Sequence, residues 1–432
     1  MNKILIIFFL FFLTNCSLDT KSGIWTDKKK ILIENKKITK VFKTKEILEN
    51  ELNATLKIRL KSKSFNNSLD NNTNNNGRIN FNGNLKNISK FKFSKISNFK
   101  LVEPELVFDQ KNLFFFDDKG SIIKFDTESK IIWKKNYYTK QEKKLKPKPI
   151  MKKDNTDILV IADNISKFYA LNMDTGELLW SKNNLVPFNS QIKVYKDKFF
   201  VVDFNNILRC YSIKNGEEIW KVKAGDVFIK SEKKLSVVVV QNVVYFNNSS
   251  GDITAVDINN GNLLWQIPTQ GSTIYEDAFF LKTSDIVANN EMIIFSNNKN
   301  EFYSIDIEKG LLKWKQSINS SIRSTIINDL IFIISNEGFL VLINSSTGEI
   351  IRITDIFNVF KNKNRKKINP IGFIVGLENI YLTTDNGKLL VIDITTGKTH
   401  SVIKIDNDTI SRPFVLNQNL FIIKENSIIK LN

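Results

Sequence analysis

Histidine is almost absent from this chain: His400 is the single one in 432 residues. A catalytic triad or a multi-histidine metal site would have to rely on that one side chain. Gly397-Lys398-Thr399 ends like a phosphate-binding loop, but the glycine required five positions earlier is Ile392. The sequence therefore predicts a protein that is not an enzyme and that has neither a metal site nor a cofactor.

The carboxylates do not suggest a catalytic pair either. Asp117, Asp118, Asp203 and Asp385 recur at predicted hairpin turns. An aspartate there accepts hydrogen bonds from the turn backbone, so we interpret these residues as structural.

Cysteine occurs twice, as Cys16 and Cys210. Cys210 lies in a predicted strand, where a free cysteine behaves as a small buried hydrophobe, and we expect no disulfide. Cys16 follows an apolar run of ten residues, Ile4 to Leu13, which is too short to span a bilayer but suits the core of a signal peptide.

The residues before Cys16, Leu13-Thr14-Asn15, resemble a bacterial lipobox, so we predict removal of residues 1–15 and lipidation of Cys16. Ser17 would then permit delivery to the outer membrane, with the protein lipid-anchored and facing the periplasm. The alternative is an ordinary secretory signal with an incidental Cys16.

Arginine is scarce, with seven residues, although the net charge is +18. Nucleic-acid readers favour clustered arginine with interleaved aromatic residues, which this chain lacks, so we predict no nucleic-acid partner. Two stretches are locally basic, Lys140 to Lys153 and Lys361 to Lys367. They are interpreted as solvated interblade loops in preference to contacts with anionic lipid head groups.

What the chain does contain is a repeated phrase: an Asp or Asn, a turn with glycine, an apolar pair and tryptophan. Full copies are NMDTGELLW, SIKNGEEIW, DINNGNLLW and DIEKGLLKW, and a shorter one is DTESKIIW. The equivalent positions are 38 to 49 residues apart, a period typical of propeller blades. They are Trp133, Trp180, Trp220, Trp265, Trp314, Arg352 and Ser401. We interpret the tryptophans as structural, packing between blades.

Two short apolar runs precede each phrase, which gives eight strand-rich units. The eighth stops at Asn432 before any outer strand, and a segment at Phe91 to Ser97 has the alternation to supply one. The predicted fold is therefore all-β, an eight-bladed β-propeller of four-stranded blades closed by an N-terminal strand.

Residues 81–432 are assigned to this propeller, and residues 16–80 to a lipidated, partly disordered tether rich in Lys and Asn. Its most polar stretch, Ser68 to Gly77, cannot bury enough apolar surface to fold alone. Ile38 to Leu60 alternates apolar and basic residues, so part of it is expected to lie on the propeller.

With eight repeats behind a lipobox, the chain resembles the BamB family of outer-membrane protein assembly lipoproteins, over about residues 83–432. The resemblance implies a periplasm-facing scaffold that binds BamA and other subunits of the barrel-assembly complex and assists insertion of outer-membrane protein clients. It places the BamA contact at Val227, Ile229 and Lys230, in GDVFIKSE. The alternative is that Val227 and Ile229 are an inner-facing strand pair.

The family's acidic partner loop corresponds here to Phe280-Leu281-Lys282, where Lys282 replaces an expected aspartate. Two other functions stay open. One is a propeller scaffold for a different envelope complex. The other is a quinone-dependent dehydrogenase of the wider pyrroloquinoline-quinone propeller superfamily, although the chain lacks the adjacent cysteine pair that such enzymes often carry.

Overall fold

The computed structural model describes residues 50–60, 65–66, 72–109, 111–225, 231, 233–269, 283–297 and 300–432. These residues form eight antiparallel four-stranded sheets arranged as the blades of a propeller, which confirms the predicted fold class. In blades 1 to 7 the strands follow chain order from the inner edge to the outer edge.

The strands of blades 1 to 4 have the following bounds: β2 Val107–Asp109, β3 Asn112–Phe116, β4 Ile122–Phe125, β5 Ile131–Lys135; β6 Ile150–Lys153, β7 Ile158–Ala162, β8 Lys167–Asn172, β9 Leu178–Asn183; β10 Lys193–Tyr195, β11 Lys198–Val202, β12 Ile207–Ser212, β13 Glu218–Lys223; β14 Val237–Val240, β15 Val243–Asn247, β16 Ile253–Asp257, β17 Leu263–Ile267.

The strands of blades 5 to 8 are β18 Val287–Ala288, β19 Met292–Ser296, β20 Phe302–Asp306, β21 Leu312–Gln316; β22 Thr325–Ile327, β23 Leu330–Ile334, β24 Phe339–Asn344, β25 Ile350–Asp355; β26 Pro370–Val375, β27 Asn379–Thr384, β28 Lys388–Asp393, β29 Thr399–Lys404; β30 Phe414–Leu416, β31 Asn419–Lys424, β32 Ser427–Leu431, with β1 Asn87–Lys92 as the outer strand of blade 8. Short helices are a 3-10 turn at Phe99–Leu101, α1 at Lys140–Lys144 and α2 at Asn362–Arg365.

An N-terminal strand closes the ring, as predicted, but it begins four residues before the predicted segment. Strand β1 pairs antiparallel with β32, with Phe91 opposite Ile428. Phe91 is fully buried, and its ring lies 5.6 Å from that of Phe125 in blade 1. Beyond Lys92 the chain leaves the sheet, because it must cross to the inner strand of blade 1. Only Phe91 and Lys92 of the predicted segment are therefore part of this strand.

The tryptophan of the repeated phrase in one blade contacts the turn of the same phrase in the next blade. The Trp314 indole N–H donates to Ser345 O of the next blade at 2.9 Å. A Cβ built on Gly348, in that blade's turn, would lie 2.5 Å from Trp314 Cγ, and Gly348 has a φ of +77°. The glycine thus provides both the left-handed turn and the space for the neighbouring indole.

The same arrangement recurs around the ring. Trp133, Trp180, Trp220 and Trp265 lie against Gly176, Gly216, Gly261 and Gly310 of the following blades. In blade 6 the equivalent residue is Arg352, which is fully buried. Its guanidinium donates to Ile394 O at 3.0 Å and to Thr395 O at 2.6 Å, so it bonds to the turn that a tryptophan would otherwise cover.

Candidate partner-docking face

The connections between blades all emerge on one face of the propeller, which we call the loop face. Strand direction alternates within each blade, so the connection from an outer strand to the next inner strand lies opposite the repeated phrases. The loop face carries α1, α2 and both basic stretches that the sequence singles out. In the first stretch, Ile150–Lys153 is the inner strand of blade 2 rather than a solvated loop.

The predicted contact residues Val227, Ile229 and Lys230 lie outside the described residues, as do the predicted lipidation site Cys16 and the segment Phe280-Leu281-Lys282. These assignments stay predictions. In the sequence, residues 226–230 lie between β13 of blade 3 and β14 of blade 4, and residues 270–282 lie between β17 of blade 4 and β18 of blade 5.

The flanks of the blade 3 to blade 4 connection are fixed by hydrogen bonds. Ala224 is fully buried, and its N–H donates to Asn206 O at 3.1 Å. On the other side, Ser231 N–H donates to Ser249 Oγ at 3.1 Å, and Ser231 O accepts from Asn189 Nδ2 at 2.6 Å.

The central channel contains a segment of the chain that the sequence analysis assigned to the tether. Residues 72–79, here called the channel segment, run across inner strands of successive blades. Val239 N–H donates to Asn72 O at 2.9 Å, Ala288 N–H to Thr73 O at 2.9 Å, and Ile79 N–H to Val375 O at 2.8 Å. The side chain of Asn75 accepts from Ile326 N–H at 2.9 Å. The channel segment therefore bonds to blades 4, 5, 6 and 7.

Asn74 forms hydrogen bonds with residues of several blades. Its Nδ2 lies 2.9 Å from both Gln191 Oε1 and Ile286 O and 3.1 Å from Ser236 Oγ, while its Oδ1 accepts from Lys193 Nζ at 2.7 Å. Asn74 is 2 % exposed. An amide can both donate and accept, so it satisfies backbone and side-chain groups along the open inner edges of the blades.

Residues 50–60 contact the rim of blades 6 and 7. Leu52 and Ile353 exchange backbone hydrogen bonds of 3.1 and 2.8 Å, and Ile58 N–H donates to Thr395 O at 2.9 Å. Leu56 O accepts from the Arg352 guanidinium at 3.0 Å. These contacts place residues 50–60, which belong to the predicted tether, on the propeller.

The channel opens on the loop face through a group of charged side chains, the channel-mouth cluster: Glu105, Lys193, Asp285, Arg323 and Arg412. Arg323 binds Asp285 through Nε at 2.9 Å and Nη2 at 2.6 Å, and Arg412 Nη2 lies 3.4 Å from Glu105 Oε1. Burial alone would raise the pKa of Glu105, but Arg412, Lys234, Arg323 and Lys193 together lower it to about 2. The pKa of Asp285 is likewise about 2, because Arg323 and Lys233 outweigh the effect of burial.

These depressed values predict acid sensitivity. In the unfolded chain Glu105 protonates near its ordinary pKa of 4.5, whereas in the fold it protonates near 2. The unfolded state thus binds more protons in this window, so the free energy of unfolding falls as pH drops from about 4.5 to 2. Urea titrations at several pH values should show this slope, and Glu105→Gln should reduce it. Glu177→Gln, at an exposed turn, is the matched control; an equal reduction in both variants would contradict the assignment.

The residues examined for catalysis are structural or exposed. Asp117 Oδ1 and Asp203 Oδ1 accept backbone N–H groups of their own hairpin turns at 2.8 to 3.2 Å. His400 is exposed and its Nε2 lies 2.9 Å from Asn379 Oδ1. Among the described residues there is no group of three or more His, Cys, Asp or Glu side chains that could hold a metal ion. Cys210 is a buried free cysteine.

Sequence reasoning did not identify the channel segment or the channel-mouth cluster. The five residues of the cluster come from different connections and inner strands. No spacing within one stretch of sequence therefore predicts that they lie together. In the parts of the chain that the structure describes, no helix is long and apolar enough to cross a membrane.

Comparison with solved structures places the fold among known propellers. The crystal structure of BamB from Moraxella catarrhalis aligns with a TM-score of 0.64 at 14 % identity and covers 81 % of this chain and 99 % of that one. The computationally designed Ika8 protein aligns with a TM-score of 0.60 at 10 % identity and covers 79 % and 99 %. At these identities the likeness concerns the fold. No curated protein sequence matches this chain.

A family model identifies the family of this chain, whereas the solved structures show only its fold. The model described as outer membrane protein assembly factor BamB matches residues 118–354, from the first blade to the outer strand of the sixth. This match spans more than half of the chain and includes the blades that carry Trp133 to Arg352. The chain therefore belongs to the outer membrane protein assembly factor BamB family.

Proposed function

We propose that this protein is a non-catalytic lipoprotein scaffold of the outer-membrane β-barrel assembly machinery. In this proposal Cys16 carries lipid, the propeller faces the periplasm at the outer membrane, and the loop face binds the periplasmic domains of BamA. The protein thereby assists folding and insertion of outer-membrane proteins. Membership of the BamB family is the observation that carries the proposal.

The architecture is suited to such a role. Blades 1 to 7 are joined through tryptophan and arginine contacts and an N-terminal strand closes the ring, which makes a rigid support. Rigid supports lower the entropic cost of presenting loops to a partner. The connection that contains Val227, Ile229 and Lys230 is anchored on both sides, as described above. Apolar side chains beside a cation are a reasonable protein contact at such a position.

The test is co-purification of the tagged full chain from detergent-solubilised membranes, comparing wild type with Val227→Asp/Ile229→Asp. We expect BamA with the wild type and its loss in the variant, because two buried charges would be unpaired at the contact. A matched control is Leu263→Asp/Leu264→Asp, since these leucines are 55 % and 50 % exposed on the outer strand of blade 4. The control variant should retain BamA.

The remaining outcomes separate the parts of the proposal. Recovery of BamA with both variants would keep the assembly function and refute the proposed contact. A different envelope complex in place of BamA would refute the assembly function and favour the alternative scaffold. Circular dichroism of each variant checks that the propeller is intact, since loss of fold in the first variant would show that Val227 and Ile229 are core residues.

A further inference from the structure

The channel mouth contains a cavity of about 510 Å³. Its walls come from seven of the eight connections between blades, including Gln191 between blades 2 and 3, and Asn76 of the channel segment lines it as well. The channel segment bonds across the inner strands of blades 4 to 7. A recess of this size, with mixed apolar and polar walls, is typical of a small-molecule site.

Positive side chains outnumber carboxylates around this cavity. Its lining contains five cationic side chains and three carboxylates: Lys100, Lys233, Lys234, Arg323 and Arg412 with Glu103, Glu105 and Asp285. Asp285 is engaged by both Nε and Nη2 of Arg323. Glu105 lies 3.4 Å from Arg412 and 3.6 Å from Arg323, so two guanidinium groups share one carboxylate at long distance.

Lys233 adds a further positive charge, and its described hydrogen bonds are to carbonyl groups. Its ammonium group donates to two backbone carbonyls, Thr283 O and Ser321 O, the latter at 3.2 Å. Carbonyl groups satisfy hydrogen bonds but carry no net charge. Arg412 lies over the Phe414 ring, with 4.4 Å from its guanidinium carbon to the ring centroid. This stacking holds one edge of the guanidinium in place at the cavity.

The lowered pKa values of two cationic side chains agree with an excess of positive charge. Burial and the nearby Arg323 lower the pKa of Lys193, a member of the channel-mouth cluster, to about 7. Burial and Arg323 also lower the pKa of Arg412 to about 10, even though Glu105 opposes the shift. An additional anion in the cavity would relieve this repulsion between cations.

We propose that the channel mouth binds an organic anion, a small molecule carrying carboxylate or phosphate groups, with Arg412 and Lys233 as the recognising cations. The guanidinium fork matches the paired oxygens of either group. Phe99, Ile322 and Phe373 supply apolar walls for the carbon skeleton.

Isothermal titration calorimetry on the detergent-solubilised full chain tests this proposal, with inorganic phosphate and citrate as probes at constant ionic strength. We expect one saturable site for at least one probe. Stronger binding of phosphate would identify phosphate as the recognised group, and stronger binding of citrate would identify carboxylate; either result supports the site. Absence of saturable binding by both probes would overturn it.

Variants locate the site. Arg412→Gln should weaken binding at least tenfold, whereas Arg59→Gln, at an exposed arginine, should leave it unchanged. Equal weakening in both would show non-specific attraction by net charge and would overturn the proposal. Arg412→Gln could fail to fold because Glu105 loses a partner, and in that case Lys233→Gln serves instead. Loss of the Lys233 ammonium group leaves two backbone carbonyls to be solvated. This variant too should weaken binding. An unchanged affinity in folded Lys233→Gln would refute the assignment.

Discussion

Gly348→Ala is expected to lower the free energy of unfolding by about 3 kcal/mol. Two costs combine. The new Cβ would lie 2.5 Å from Trp314 Cγ, and overpacking of this kind costs roughly 1 to 3 kcal/mol. The φ of +77° also strains a non-glycine residue by roughly 1 to 2 kcal/mol. Urea denaturation followed by circular dichroism measures the difference.

Gly225→Ala separates these two costs. Gly225 has a similar φ of +67°, but the nearest atom to a built Cβ is Gln266 Nε2 at 3.7 Å. This control should therefore lose only the roughly 1 to 2 kcal/mol of backbone strain. If both glycine variants lost the same stability, the close approach of Trp314 would contribute nothing.

A double-mutant cycle tests the contact directly. Trp314→Ala removes a buried indole and its hydrogen bond to Ser345 O, at a cost of roughly 3 to 5 kcal/mol. In that background Gly348→Ala no longer meets the ring and should cost only the backbone strain. The resulting interaction energy, about 1 to 3 kcal/mol, would measure how the phrase of one blade depends on the turn of the next. Additive losses would refute this coupling.

Asn74→Leu is the second large change, expected to cost roughly 3 kcal/mol more than Asn328→Leu. Each asparagine has positive φ, 59° at Asn74 and 53° at Asn328, so leucine adds comparable backbone strain at both. Asn328 is exposed, whereas Asn74 is buried and bonds to Gln191, Ser236, Ile286 and Lys193. Buried polar groups that lose a partner cost roughly 1 to 3 kcal/mol each.

The same urea titration compares the two variants. A similar, small loss in both would mean that the channel segment does not stabilise the propeller. A large loss in Asn74→Leu alone would show that residues 72–79 are part of the folded ring.

The existence of the closing strand is predictable from the sequence, but its end is not. Alternation of apolar residues identified an N-terminal strand, and the sheet confirms it, but the pattern extends through Phe91 and Phe93 without marking an end. Phe91 is buried between blades 8 and 1, while the chain beyond Lys92 turns toward the 3-10 helix at Phe99. The end of the strand is decided by the path to blade 1, which no local pattern encodes.

Composition alone does not reveal the environment of residues 72–77. A polar, asparagine-rich stretch cannot bury enough apolar surface to fold alone, and this composition is typical of a tether. In the structure these residues are held by hydrogen bonds. Inner strands present backbone groups along the channel, and the backbone and asparagine amides of the segment bond to them. Burial here is polar, so hydrophobic patterning gives no signal for it.

By itself the sequence determined the eight-bladed ring and the family. Its information is local and repeated: each phrase carries its own turn glycine and its own tryptophan, so one blade predicts the next. Only the tertiary structure decided the channel segment and the channel-mouth cluster. Their residues are brought together from five or more blades by closure of the ring, and their contacts are hydrogen bonds and charges between positions up to 307 residues apart.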